Sequence, residues 1–273
     1  MIKQVALLKT KEGMSYDAFV RRYEEGHAPL CIKVIPQIAK YHRNFVIPGS
    51  MVALEHVGAA AAKPFFDVVT EVWFENQAKL DELSNALAKT NVGAIIAEDE
   101  THLFDRSQMI MFAAEERFEP TKLRTRPVGF SGRPAKKMIC IMRKKPGMSR
   151  DAFIDYYENG HSKLALKLLV KGGEPLFAEY SRTYPTPGGQ FDLAHVKGPA
   201  AKLDFDVMTK INFWADADYQ EFSRQCTDPK IGAALTKDEE NLFDRDSIRM
   251  FMVEERTTSE AEFKAQAKAR GAA

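Results

Sequence analysis

The chain repeats itself, and a duplicated sequence must fold as two copies of one unit. Gly13-Met14-Ser15-Tyr16-Asp17-Ala18-Phe19 returns as Gly147-Met148-Ser149-Arg150-Asp151-Ala152-Phe153. Tyr23-Glu24-Glu25-Gly26-His27 returns as Tyr157-Glu158-Asn159-Gly160-His161, at an offset of 134. Further along the offset is 139. There His56-Val57 matches His195-Val196, Phe66-Asp67-Val68 matches Phe205-Asp206-Val207, and Leu103-Phe104-Asp105-Arg106 matches Leu242-Phe243-Asp244-Arg245. The difference places a five-residue insertion near Lys171-Gly172-Gly173-Glu174-Pro175, where Gly and Pro mark a loop and extra length costs little. The 273 residues divide into a first module over 1–119, a Pro/Gly/basic linker over 120–136, a second module over 137–256 and a polar tail over 257–273.

Within each module the same order of elements can be read. Val5 to Leu8 and Met138 to Met142 are apolar runs of strand length. Ser15 and Ser149 then cap a helix, with Asp17 and Asp151 favourably placed in its first turn. Phe19, Tyr23 and His27 follow at steps of four, as do Phe153, Tyr157 and His161, so each set shares one helix face. Strands follow at Tyr41–Val46 and Tyr180–Tyr184, then at Asp67–Phe74 and Asp206–Phe213. Helical segments over Gln77–Lys89 and Val92–Glu100 correspond to Tyr219–Cys226 and Ile231–Glu240. Last strands run through Met109–Ala113 and Ile248–Met252. The order β-α-β-β-α-β defines a ferredoxin-like unit, an α+β fold whose sheet is covered by helices on one face only. Two such units in one chain can cover each other, as an intrachain pseudo-dimeric α/β barrel.

Composition narrows the function classes. Thirty-nine Lys+Arg against 38 Asp+Glu gives no electrostatic case for nucleic acid or an anionic membrane. No apolar stretch approaches the roughly 18 residues of a membrane span, and Lys9 and Lys11 interrupt any signal-peptide core, so a cytoplasmic location is expected. Cys31, Cys140 and Cys226 are scattered, with no CxxC, which argues against a disulfide framework and a structural zinc. None is repeated between halves. Dinucleotide and P-loop glycine motifs and a GxSxG elbow are also missing.

The run Lys-x-x-Gly-Met-Ser-x-x-x-Phe-x-x-x-Tyr-x-x-x-His resembles the EthD-like family. Lys144, Gly147-Met148-Ser149, Phe153, Tyr157 and His161 fit throughout; in the first half Thr10 replaces the leading lysine. Phe66 to Phe74 and Asp99 to Arg106 are also similar to that family's pattern. The resemblance implies a dimeric α/β barrel with a pocket between sheet and helices in each unit. Relatives of that fold include cofactor-free isomerases, cyclases, decarboxylases, oxygenases and haem enzymes, so the reaction is left open.

Four of the six histidines occupy repeated positions: His27 with His161, and His56 with His195. Imidazole moves protons near neutral pH, and one reading brings a helix-end and a loop histidine to each pocket. The other reading leaves His27 and His161 as helix-terminal residues, and His56 and His195 on a surface connection. Tyr41 and Tyr180 precede Arg43 and Arg182 by two, so each pair shares a strand face. A phenol beside a guanidinium can polarise a carbonyl or hold a carboxylate; equally, the arginine can pair with an acid of the protein. Asp67 and Asp206 either orient a histidine or cap the start of a strand. Tyr23 and Tyr157, on the helix face, are candidate substrate contacts. A metal would need His27, His56 and Asp67 to converge without a ligand-like spacing, so no metal and no cofactor is expected.

The reading that uses all the repeated titratable residues is a cofactor-independent acid/base enzyme, a lyase, isomerase, cyclase or decarboxylase of a small aromatic or carbonyl compound. In it His27 and His161 transfer the proton, His56 and His195 assist, and Tyr41 and Tyr180 donate to a substrate oxygen. The alternative is a non-catalytic, small-molecule-binding accessory protein of an oxidative degradation system; a haem or flavin oxygenase is a third. His42 is matched by Ser181, so the halves are unequal, and the first half is expected to hold the better-formed pocket. Two chains are expected to be able to pair as a homodimer.

Overall fold

A computed structural model describes residues 1–52, 64–130, 133–191, 202–258 and 262. The first half runs β1 (Ile2–Leu8), α1 (Tyr16–Arg22), a π-helical turn (Tyr23–His27), α2 (Ala28–Val34), β2 (Ile38–Met51), β3 (Val68–Phe74), α3 (Gln77–Lys89), α4 (Val92–Thr101) and β4 (Ile110–Phe118). The second runs β5 (Lys136–Lys144), α5 (Arg150–Tyr156), a π-helical turn (Tyr157–His161), α6 (Ser162–Leu168), β6 (Val170–Lys171), β7 (Glu174–Pro175), β8 (Glu179–Gln190), β9 (Val207–Phe213), α7 (Asp216–Cys226), α8 (Pro229–Leu242) and β10 (Phe243–Thr258). Each half is a ferredoxin-like module.

The helix starts form as the serines dictate. Ser15 Oγ accepts from Ala18 N at 3.3 Å and Ser149 Oγ from Ala152 N at 3.2 Å. One turn later each helix departs from the α pattern. Ala28 N donates to Tyr23 O and Ser162 N to Tyr157 O, the i→i+5 bonds of a π turn. The insertion in the second half is a β-hairpin rather than a bare loop: β6 pairs with β7 across Gly172 and Gly173. Their φ values of 61° and 80° are the left-handed pair that a tight hairpin turn requires.

The eight long strands close one antiparallel barrel in the order β1-β3-β2-β10-β5-β9-β8-β4. The last strand of each half crosses to the other: β10 pairs with β2 (Val253 opposite Val46) and β4 with β8 (Arg117 opposite Arg182). These seams explain why β2, β8 and β10 outrun the apolar segments legible in the sequence. Their extensions are held by partner strands of the other half, and β10 carries pairing to Thr258 opposite Tyr41. The segment after β4 lies against the second half, with Arg124 N donating to Phe177 O at 2.9 Å and Trp214 Nε1 to Arg124 O at 3.0 Å.

Strand alternation sorts the core into three parts. One cluster per half fills the space between sheet and helices, built on Phe19, Tyr23 and Phe45 in the first and Phe153, Tyr157 and Phe213 in the second. The third occupies the barrel interior, where Val5, Val69, Phe112, Ile139, Met208 and Phe251 meet. The same interior faces carry charge towards the other end. Lys3 lies 2.5 Å from Glu71 and 2.6 Å from Glu116, and Lys210 lies 2.7 Å from Glu71 and 3.1 Å from Glu116. Lys137 pairs with Glu255, which His42 also approaches at 3.3 Å. Glu71 and Lys210 are equivalent positions of the two halves, so the duplication is broken there by a charge inversion.

Candidate functional site

In the second half, the π turn and α6 bring His161 over the sheet. Its Nδ1 lies 2.6 Å from Asp238 Oδ2, on α8. Tyr157 and Phe243 meet the ring edge-on, with centroids 5.0 and 5.3 Å away. The carboxylate engages Nδ1, so a neutral ring carries its hydrogen there and presents an Nε2 lone pair. A cavity of about 70 Å³ adjoins it, lined by Tyr157, His161, Tyr180, Thr209 and Glu239 among apolar side chains such as Met142 and Met250. Tyr157 OH lies 2.7 Å from Thr209 Oγ1 and also bears on Tyr180. Burial pushes the Tyr157 phenol up to about 12 and raises Tyr180 further, so both are neutral donors.

The first half repeats the frame with a different outcome. His27 Nδ1 lies 2.8 Å from Asp99 Oδ2, and Arg22 pairs with the other oxygen of that carboxylate. Tyr23 OH lies 3.0 Å from Tyr41 OH and 2.8 Å from Thr70 Oγ1. Here, however, Nε2 meets Cys31 Sγ at 3.4 Å, whereas Ala165 holds the equivalent position in the second half. Burial disfavours the His27 imidazolium, but the Cys31 sulfur and the Asp99 carboxylate outweigh it and raise its pKa to about 10. The Asp99 carboxyl falls correspondingly to about 2, chiefly through its bond to His27. With both nitrogens engaged, His27 has no free lone pair left to take a proton from a bound substrate. Among the described residues, the cavity adjoining a repeated histidine lies in the second half, whereas the sequence pointed to the first.

Arg43 and Arg182 do not hold a site open for a substrate anion. Arg43 Nε and Nη2 grip Glu24 at 2.9 and 2.6 Å, while Nη1 donates to Tyr41 O and Thr258 Oγ1. Arg182 grips Glu158 in the same bidentate way, and each guanidinium lies over the tyrosine two residues before it. Asp67 and Asp206 reach no described histidine. Asp67 accepts from Thr10 N at 3.0 Å and Lys9 Nζ at 3.1 Å, and Asp206 from Lys144 N at 2.8 Å, so both tie the end of the first strand to the start of the third. His56 and His195 lie outside the described residues.

Sequence reasoning missed Asp99 and Asp238 as the histidines' partners. Their signal was present, since Asp99-Glu100 recurs as Asp238-Glu239 at the offset of the flanking repeats. It also missed the charged end of the barrel, where a cavity of about 790 Å³ is lined by Lys3, His42, Trp73, Lys210 and Asn212. The lysines there are already matched to Glu71, Glu116 and Glu255. Among the described residues no group of His, Cys, Asp and Glu could hold a metal ion, and no helix is long and apolar enough to cross a membrane. A haem on the helix face would need a free imidazole nitrogen and room for a tetrapyrrole. His27 Nε2 faces sulfur, and the cavity at His161 is far below the roughly 300–1,000 Å³ of ordinary ligand pockets, so these residues do not fit that group.

Two ferredoxin-like modules whose sheets close one barrel define a dimeric α/β barrel protein, here with both members in one chain. The EthD domain model matches residues 11–107 and again residues 145–246, and the chain belongs to that family. Among solved structures it is similar to an anthrone oxidase-like protein at 10% identity and TM-score 0.55, covering 96% of this chain and 94% of that one. A candidate monooxygenase from Fusobacterium nucleatum subsp. nucleatum ATCC 25586 matches at 6% identity and TM-score 0.51, covering 94% of each chain. Another, from Lactobacillus acidophilus NCFM, matches at 9% identity and TM-score 0.48, covering 95% and 96%. These likenesses are of fold. No curated protein matches the sequence.

Proposed function

We propose that the protein is a cofactor-independent acid/base enzyme acting on a small aromatic or carbonyl compound, with its chemistry in the second half. The observation that carries this reading is the His161–Asp238 pair at the edge of an apolar cavity, with Nε2 left to accept a proton. Asp238 orients the ring and stabilises the imidazolium that forms. Removing a proton from carbon next to a carbonyl puts negative charge on the carbonyl oxygen, which the neutral phenols of Tyr157 and Tyr180 are suited to receive. A benzene-sized ligand takes a cavity of about 150 Å³, so entry requires side chains to move. The flexible Met142 and Met250 in the lining suit that. The likeness to an anthrone oxidase-like protein supports an aromatic ketone as the substrate class.

Deuterium exchange into aryl ketones with acidic hydrogens, anthrone among them, tests the reading. The wild type is expected to accelerate exchange, and His161→Gln to lower kcat by about 10²–10⁴ with a small change in KM. Ligand binding without exchange in the wild type, or unchanged exchange in the variant, sinks it. The first of these results supports the accessory-protein reading instead.

A further inference from the structure

The first half uses its histidine differently, and the difference is chemical. Cys31 Sγ faces His27 Nε2 at 3.4 Å, and His27 Nδ1 faces Asp99 Oδ2 at 2.8 Å, the order of nucleophile, base and orienting carboxylate found in thiol-dependent sites. The arrangement is fixed on every side. Cys31 follows His27 by one helical turn, Arg22 binds the far oxygen of Asp99, and Tyr23 and Phe104 meet the ring edge-on at 5.0 and 5.2 Å. We propose that Cys31, His27 and Asp99 form a nucleophilic triad, and that Cys31 Sγ is a modification site for hydrogen peroxide and comparably small electrophiles. It stands apart from the acid/base reading, which uses the other half.

The charged and titratable groups facing the pair are Asp99 and Glu100 from α4, Arg22 through Asp99, and the phenols of Tyr23 and Tyr41. Burial keeps both phenols neutral. His27 is therefore the group positioned to hold a proton given up by the thiol, and Asp99 keeps the resulting imidazolium paired. The site is narrow: Cys31 is only 6% exposed, which limits it to small reagents. With peroxide, the thiolate attacks one oxygen and the O–O bond breaks. The leaving hydroxide takes the Nε2 proton of His27 and departs as water. Cys31 becomes a sulfenic acid, oxidised by two electrons while the peroxide is reduced.

The protein supplies its own references. Cys140 and Cys226 are also buried and free, and burial together with Glu239 raises both thiols, Cys226 to about 12 and Cys140 higher. In the intact chain, iodoacetamide labelling followed by peptide mass spectrometry at about pH 6 is expected to alkylate Cys31 at least about ten-fold faster than either reference. His27→Gln should remove that advantage, leaving a rate that climbs about ten-fold per pH unit like an ordinary thiol. Asp99→Asn should shift the profile upward and Asp99→Glu restore it. Cys31 reacting no faster than the references, or a His27→Gln profile coincident with the wild type, overturns the proposal. If the His27 variant does not fold, ultraviolet thiolate absorption at about pH 6 decides. It should be lost in Cys31→Ser and kept in Cys140→Ser; equal spectra for the wild type and Cys31→Ser overturn the triad.

Discussion

His27 and His161 stand on equivalent turns, each with a carboxylate at Nδ1, and differ in what meets Nε2: a thiol in one half, a cavity beside Ala165 in the other. The pairing makes stability depend on pH in a stated direction. His27 has a pKa raised from 6.5 to about 10, so the stability it contributes is complete below about pH 6.5 and is lost as pH rises through about 10. Asp99 is lowered from 3.8 to about 2, so its contribution is present above about pH 3.8 and is lost as pH falls through about 2. The Tm difference between the wild type and Asp99→Asn should therefore be widest between about pH 4 and 6.5, and shrink towards pH 10. A pH-independent difference would show that the pair does not couple to folding. Of this site the histidines and tyrosines were legible, because their spacing along a helix and a strand repeats. Cys31 was not, since its role depends on the absence of a repeat. Nor were the partners of Arg43 and Arg182, because Glu24 and Glu158 lie on another element and no local pattern reports such a contact.

At the scale of elements, the two π turns are what the periodic reading could not supply. Phe19, Tyr23 and His27 at steps of four fit an α-helix, and a single π turn leaves that pattern intact while turning everything after it. Each turn holds a glycine in a comparable place with different surroundings. A Cβ at Gly26 would strike the Arg22 guanidinium, which binds Asp99, whereas a Cβ at Gly160 makes ordinary contact with the Tyr156 ring at 3.5 Å. Gly160→Ala should be neutral or stabilising by up to about 1 kcal/mol, the gain in helix propensity. Gly26→Ala should forgo that gain by pushing Arg22 off Asp99. Chemical denaturation of the two variants checks this, and equal behaviour would mean that Arg22 simply swings clear. The seam strands were legible in their apolar centres only. β2 carries on past Val46 through a bulge at Ile47-Pro48-Gly49: pairing with β10 lapses after Val46 opposite Val253 and resumes at Met51 opposite Phe251.

For the whole molecule, the barrel fold followed from the duplication and element order, since neither sheet can cover itself. The charged end did not, because Lys3, Glu71, Glu116 and Lys210 come from four different strands and none of their pairs is close in sequence. Lys210 bonds Glu71 through both carboxylate oxygens and reaches Glu116 as well, so K210E gathers three carboxylates around Lys3. Removing one partner of such a buried set costs about 3–5 kcal/mol. The exchange E71K/K210E keeps the charges opposed and should recover most of that loss. Recovery should not be complete, since Asn44 Nδ2 donates to the Glu71 carboxylate. Urea midpoints compare the three proteins; an exchange variant no more stable than K210E alone would remove electrostatics as the cause.

The Glu71–Lys210 inversion also bears on descent. A symmetric pair of separate subunits must place the same side chain on both sides of its axis, so an ancestor of that kind could not hold opposite charges there. Once two copies were joined, each was free to change alone, and the opposed pair could arise. The change then works as a ratchet. A gene split at the linker would yield first halves that set glutamate against glutamate and second halves that set lysine against lysine, each at a buried position. Only a mixed pair would restore the contact, which commits the lineage to keeping both copies together.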